Sequence, residues 1–222
     1  MAAMQPGPTF GKLNSEEAEA LERAIPFLRL FVPTSARFFN ECQENPAQGS
    51  VIARSKTRDL ALTLDVSLLF DSACDHLTTV VNLVDGRLLP RYSPYTVIRG
   101  ALEADAWLCW VLDSALTDPD RLARALMLRA NSLYEAERIG AAPSRLTPER
   151  HYAKRMKRVF SAAKRWKLTP KTDHYGRVAF VALPKVTPLL RALMPDPSPK
   201  NTVLTVREQT YAELSARAHG TY

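Results

Sequence analysis

Glycine is scarce in this sequence of 222 residues: eight glycines stand against sixteen prolines, and no Gly-x-Gly-x-x-Gly or Gly-Lys-Ser/Thr string occurs. Backbone cradles for phosphate need such glycines, so the dinucleotide-binding and P-loop classes are excluded. Cysteine is scarcer still. Cys42, Cys74 and Cys109 are widely separated, form no Cys-x-x-Cys pair and are too few to staple a secreted scaffold. They read as buried thiols in a reducing compartment, and the chain as cytoplasmic. Long apolar runs are missing as well; the longest uncharged one, Ala106 to Leu112, is far below the ~20 residues that cross a bilayer. Alternating strand patterns are nearly absent, residues 177–183 (RVAFVAL) being the one candidate. No His-x-x-x-His or Glu-x-x-His spacing is present, so neither a metal nor a cofactor is expected.

What is present is positive charge gathered in one place. The formal net charge is +7, and Glu149 to Asp173 alone holds nine Lys/Arg against two acids, so the rest of the chain sums to zero. An anionic partner should meet the protein there.

Helix signals run along most of the chain. Residues 1–13, with Pro6, Gly7 and Pro8, read as a disordered leader, and 14–48 as an N-terminal helical segment opened by the Asn14/Glu17 capping box and interrupted at Pro26 and Pro33. Residues 50–222 read as a helical bundle domain. Its longest helix is expected from Val51 to Asp85, ended by Gly86, with a core stripe of Leu62, Val66, Leu69, Ala73, Val80 and Leu83. Three later helices share one start signal, a capping residue followed by Pro: Ser93-Pro94, Asp118-Pro119 and Thr147-Pro148, with a shorter copy at Thr187-Pro188. A last helix is expected from about Val203. The helical pattern continues almost to Tyr222, which reads as a C-terminally truncated frame. The fold expected is all-α, an antiparallel helical bundle with short connections.

Within it, a few polar groups sit where apolar ones are expected. The helix from Pro94 to about Asp113 is apolar nearly all round and should be central, yet it carries Arg99, Glu103 and Asp105. Arg before Glu is the weaker order for an exposed pair worth roughly 0.2–0.5 kcal/mol, so surface stabilisation explains the pair poorly. Buried and matched, it is either internal glue or part of a pocket, and truncating Glu103 would then strand a buried Arg at a cost of ~3–5 kcal/mol. His76 falls inside the apolar stripe of the long helix, with Asp65 and Ser72 at its margins, as a core residue or a general acid/base. Tyr211, Ser215 and His219 recur every fourth residue on the last helix, forming either a solvated face or one wall of the same site.

The basic helix, 148–168, is the clearest amphipathic element. Arg150, Lys154, Lys157, Arg158, Lys164 and Arg165 occupy one arc, opposite Tyr152, Met156, Val159, Ala163 and Trp166. Such a face suits RNA or another polyanion, with an anionic membrane surface second because Trp166 and Phe160 would suit an interface.

Four strings, DHLTTVVNLV (75–84), YTVIRGALEADAWLCWVLD (95–113), RLARALMLRANSLYEAER (121–138) and YAELSARAHG (211–220), resemble a group of actinobacterial all-α proteins similar to the HEPN-like superfamily. The resemblance spans about 50–222 and implies that His76, Arg99, Glu103, Arg124, Tyr211, Ser215 and His219 recur, Arg124 as a structural polar group. It implies a nucleic-acid-acting protein, ribonuclease-like and of defence or toxin type; alternatively, a non-enzymatic binding or dimerisation module, such as a homodimer, with a buried structural polar cluster. The ribonuclease group carries Arg and, a few residues on, His near a helix start. Here the only such spacing, Arg145 to His151, is split by Pro148 and straddles the predicted start.

Overall fold

The computed structural model describes residues 15–50, 53, 60–86, 93–140, 147–173 and 176–193. The expected leader, most of 51–59 and the expected last helix with Tyr211, Ser215 and His219 lie outside the described residues. Among the described residues the chain is mostly helical, with six helices: α1 Ser15–Glu44, α2 Leu60–Asp85, α3 Ser93–Leu112, α4 Asp118–Arg138, α5 Pro148–Arg165 and α6 Val186–Leu193. The weak strand candidate becomes a small ribbon, β1 Lys171–Thr172 antiparallel to β2 Val178–Ala179. No helix among the described residues is long and apolar enough to cross a membrane.

The helices pack within two compact units. One contains α1, α2 from Phe70, α3 to Ala106, and α6; the other contains α2 to Leu69, α3 from Trp107, α4, α5 and the ribbon.

In the first unit α1 corrects the expectation that its prolines interrupt it. Its 30 residues run through Pro26 and Pro33, making it, rather than α2, the longest described helix. Each proline removes one N–H, which leaves the carbonyls of Glu22 and Arg29 without their helical partner. Both prolines are exposed, so water can take those carbonyls. The helix is held on either side of them by a stripe at heptad spacing: Ile25 and Val32 are buried, and Phe39 stacks on Phe70 of α2 with ring centroids 4.1 Å apart. Arg29 reaches Asp85 at the other end of α2, so the two helices run antiparallel.

The second unit is organised around α4. Thr117 is its N-cap, extended at φ −75°, ψ 162°, with its hydroxyl accepting from the Asp120 N–H. The cap therefore lies one residue before the expected Asp118, whose carboxylate instead accepts from Arg121 Nη1 at 3.1 Å. Likewise α6 starts at Val186, one residue before the expected Thr187. The expected start of α5 stands as read, with Thr147 capping the Arg150 N–H and Pro148 in the first turn. Leu122, Ala125 and Leu126 of α4 are essentially fully buried, and the helix ends where Gly140 takes φ +72°.

Arginines from α4 secure the neighbouring elements. Arg121 Nη2 donates to the carbonyls of Asp113 and Ser114 at 3.0 and 3.3 Å. Arg124 Nη1 donates to the Trp110 carbonyl at 2.6 Å, and its guanidinium lies 5.0 Å from the Trp110 ring centre. The Trp110 carbonyl lies in the last turn of α3, which lacks helical donors, and the Asp113 carbonyl accepts from Arg121 in addition to the Leu116 N–H at 3.2 Å. Arg129 pairs with Asp65 of α2, the side chains being 20% and 11% exposed. Breaking one partner of such a pair strands the other. Arg129→Met is expected to lower unfolding stability by about 3 kcal/mol, read as a fall in urea midpoint at constant slope, whereas Asp65→Leu/Arg129→Met recovers most of the loss. A double variant as unstable as the single one would show that the pair is not the cause.

Candidate functional site

Two regions carry the polar chemistry, one in each unit. In the first, Val80 on α2 is buried, and Ala73 and Leu83 are half-buried beside it. His76 shares this stripe and is half-buried. Its imidazole rests on the backbone of α3 at Gly100: a Cβ added to Gly100 would lie 2.7 Å from His76 Nε2 and 2.9 Å from Cε1. Only a residue without a side chain lets the ring come this close. Sequence reasoning missed Gly100. The signal was a lone glycine inside an otherwise strong helix, where it weakens the helix by about 1 kcal/mol relative to alanine and so marks a close approach.

Arg99 and Glu103 flank that contact along α3. Arg99 Nε donates to Glu103 Oε1 at 2.8 Å, with the side chains 25% and 31% exposed. The buried pair expected inside a central helix is thus a partly solvated bridge. Helix α3 buries Ala101, Ala104 and Ala106 and keeps Arg99 and Glu103 at the margin of the packed face. The cost of Glu103→Ala accordingly falls from that of a buried charge to about 1 kcal/mol or less. Asp105 is exposed. Of the margin residues named with His76, Asp65 is engaged by Arg129 and Ser72 is exposed. The structure thus brings the His76 ring to the backbone of α3 at Gly100, which lies in the chain between Arg99 and Glu103. Arg124, in the second unit, is tied to the end of α3 as described.

The second region is α5. Arg150, Lys154, Lys157, Arg158, Lys164 and Arg165 are all exposed, as is Arg155. Met156, Val159, Ala162 and Ala163 are buried against the second unit, and Tyr152 and Trp166 are half-buried. The helix carries one acid, Glu149, whose carboxyl is held below its usual range by its own backbone N–H and by the Thr147 hydroxyl. The basic arc and the apolar arc are thus on opposite sides, with the apolar one docked.

Beyond the sequence-derived residues, α4, α5 and the ribbon enclose a shallow cleft lined by Asn131, Tyr134, Tyr152, Arg177 and Val178 among others. Arg177 lies 5.1 Å from the Tyr134 ring centre and forks onto Asp173 at 2.7 and 2.8 Å. Burial first, then Glu137 and Tyr134 nearby, push the Tyr152 phenol up. Its partners come from separate elements, which is why local patterns did not reveal it. The three cysteines, expected buried, are half-buried. Burial, with Asp71 second, pushes the Cys74 thiol up, which keeps it poorly reactive. Among the described residues no group of three or more His, Cys, Asp or Glu is placed to hold a metal ion.

Compared with protein families, curated proteins and solved structures, the chain gives no match.

The His76–Gly100 contact yields a thermodynamic cycle. In a His76→Ala background, Gly100→Ala should stabilise by up to about 1 kcal/mol through helix propensity; with His76 present, the added Cβ forces the ring aside and the gain disappears. Equal effects of Gly100→Ala in both backgrounds, read from urea melts, would mean that ring and backbone are not in contact.

Proposed function

We propose that this chain is a helical protein that binds nucleic acid, RNA foremost, through the cationic face of α5. The observation that carries this reading is the division of that helix: seven exposed bases and one acid outside, a buried apolar stripe inside. From Arg150 to Arg165 the row spans about 22 Å of helix axis, several phosphates long. An anionic membrane is the weaker partner. Interfacial helices insert their apolar face, and here Met156, Val159 and Ala163 are already buried, leaving Phe160, 41% exposed, as the large apolar side chain on offer. A cytoplasmic location goes with this reading.

The end of α5 supports it. Lys167 adopts φ +56°, while the Leu168 N–H bonds back to the Ala163 carbonyl at 2.9 Å. Glycine is the usual occupant of such a position, and another L-residue costs roughly 1–2 kcal/mol there. A lysine at that position gives up stability and extends the basic row.

Ribonuclease chemistry on a HEPN-like fold is the second reading. What favours it is the seat of His76, a group able to transfer protons, on Gly100, next in the chain to Arg99.

A titration of labelled single-stranded RNA, followed by anisotropy, tests both. Affinity should fall steeply with salt, and Lys154→Gln, Arg158→Gln and Arg165→Gln together should flatten the log–log slope by about two, as the released counterions decrease. Unchanged binding by the triple variant removes α5 from the function. In the same samples, cleavage by the wild type that is lost in His76→Ala carries the second reading, and intact RNA in both leaves binding alone. Lys167→Gly should raise stability by about 1 kcal/mol and weaken RNA binding. A gain in stability with full binding would show that the lysine has no part in RNA contact.

A further inference from the structure

Helix α1 has a second apolar stripe that none of the described residues of its unit covers. Phe27, Leu30, Phe31 and Phe38 are 61%, 71%, 46% and 66% exposed, and Phe27 and Phe31 stack on each other at 5.3 Å. Ala24, Phe27, Phe31, Thr34, Phe38 and Glu41 alternate steps of three and four, the spacing of a coiled-coil seam. The seam lies opposite the stripe of Ile25, Val32 and Phe39 that packs within the unit. A helix apolar on two faces is one meant to be covered on both.

We propose that this seam is a homodimer interface, in which α1 pairs antiparallel with α1 of a second copy of the chain. The four exposed apolar side chains present on the order of 500 Å². Two copies together remove about 1,000 Å², the lower bound for a specific interface. An antiparallel two-fold register layers Phe27 on the partner's Phe38 and Phe31 on the partner's Thr34. The same register brings Arg23 alongside Glu41 and Glu44 of the partner subunit, and sets Arg37 over the apolar partner's Leu30, so that no like charges oppose. Among the described residues Arg23 and Arg37 hold exposed bridges along their own helix, to Glu19 at 3.1 Å and Glu41 at 4.0 Å, which exchange at little cost. Charge also chooses the occupant: α1 carries six acids and three bases, so an anionic lipid surface is repelled.

Sedimentation equilibrium of the full chain over a range of loadings tests this. The wild type should populate a dimer, and Phe27→Asp/Phe31→Asp should weaken it more than tenfold with the helical circular dichroism unchanged, because both side chains lie outside the core. Phe38→Lys, in a different layer, should do the same and keeps the test open if the first variant precipitates. Arg23→Glu should weaken the dimer and Arg23→Glu/Glu44→Arg restore it. A wild type that stays monomeric at every loading, a dimer indifferent to both Phe variants, or a monomer that instead binds phosphatidylserine vesicles through these residues overturns the proposal.

Discussion

The second unit depends on one constraint: every arginine that α4 turns toward its neighbours must end on an acceptor. A helix that buries Leu122, Ala125 and Leu126 almost completely has little room for charge, yet Arg121 is itself buried, at 6% exposed. A guanidinium has donors in a fixed planar fork and cannot lose its proton. It is tolerable there because the carbonyls of Asp113 and Ser114, just past α3, accept from it and Asp118 accepts as well. One donor, Arg121 Nε, is left without an acceptor. The exchange is reciprocal: α3 is terminated by a neighbour's side chain in place of the more usual glycine, and α4 is oriented by the groups it terminates. Leu116 and Thr117 then make a tight connection, since α4 must begin within reach of the carbonyls it caps.

In the first unit the corresponding constraint is steric. Gly100 admits the His76 ring to the backbone of α3, so the spacing of that helix from α2 is set by an imidazole lying against a peptide. On α1 the core stripe is strong enough to carry a helix past two prolines. Ile25 precedes Pro26 and Val32 precedes Pro33, so each lost hydrogen bond lies beside a residue fixed by burial. Local rules place a break at such prolines; tertiary contacts, spread over more residues, outweigh it.

This contrast also explains which parts were legible in the sequence. Helix starts at Thr147-Pro148, and near Asp118-Pro119 and Thr187-Pro188, follow from hydrogen-bonding rules within one turn, and they are read to within one or two residues. The shift from Asp118 to Thr117 arises because both residues can cap, and only Arg121 decides which one is free to do so. The buried stripe of α5 is likewise periodic and local. The Asp65–Arg129 pair is not: the two residues are far apart in the chain, and no rule of spacing joins them. The Arg99–Glu103 pair was found by spacing, but its solvation was not. Spacing tells which residues share a face, and only packing tells whether that face is covered.

The location of charge on α5 bears on whether the protein binds or transforms its partner. Catalysis by proton transfer needs few groups held closely, with their acidity moved toward neutrality by burial or by a neighbour. The bases of α5 are the opposite, numerous and fully solvated, a surface that attracts polyanions without distinguishing one phosphate from the next. What α5 can supply is affinity and orientation along a backbone. Selectivity or chemistry would have to come from groups with shape, held in place rather than fully solvated. On the proposed reading, an exposed cationic row suits an extended strand whose phosphates lie along the helix, while its bases are read by other groups.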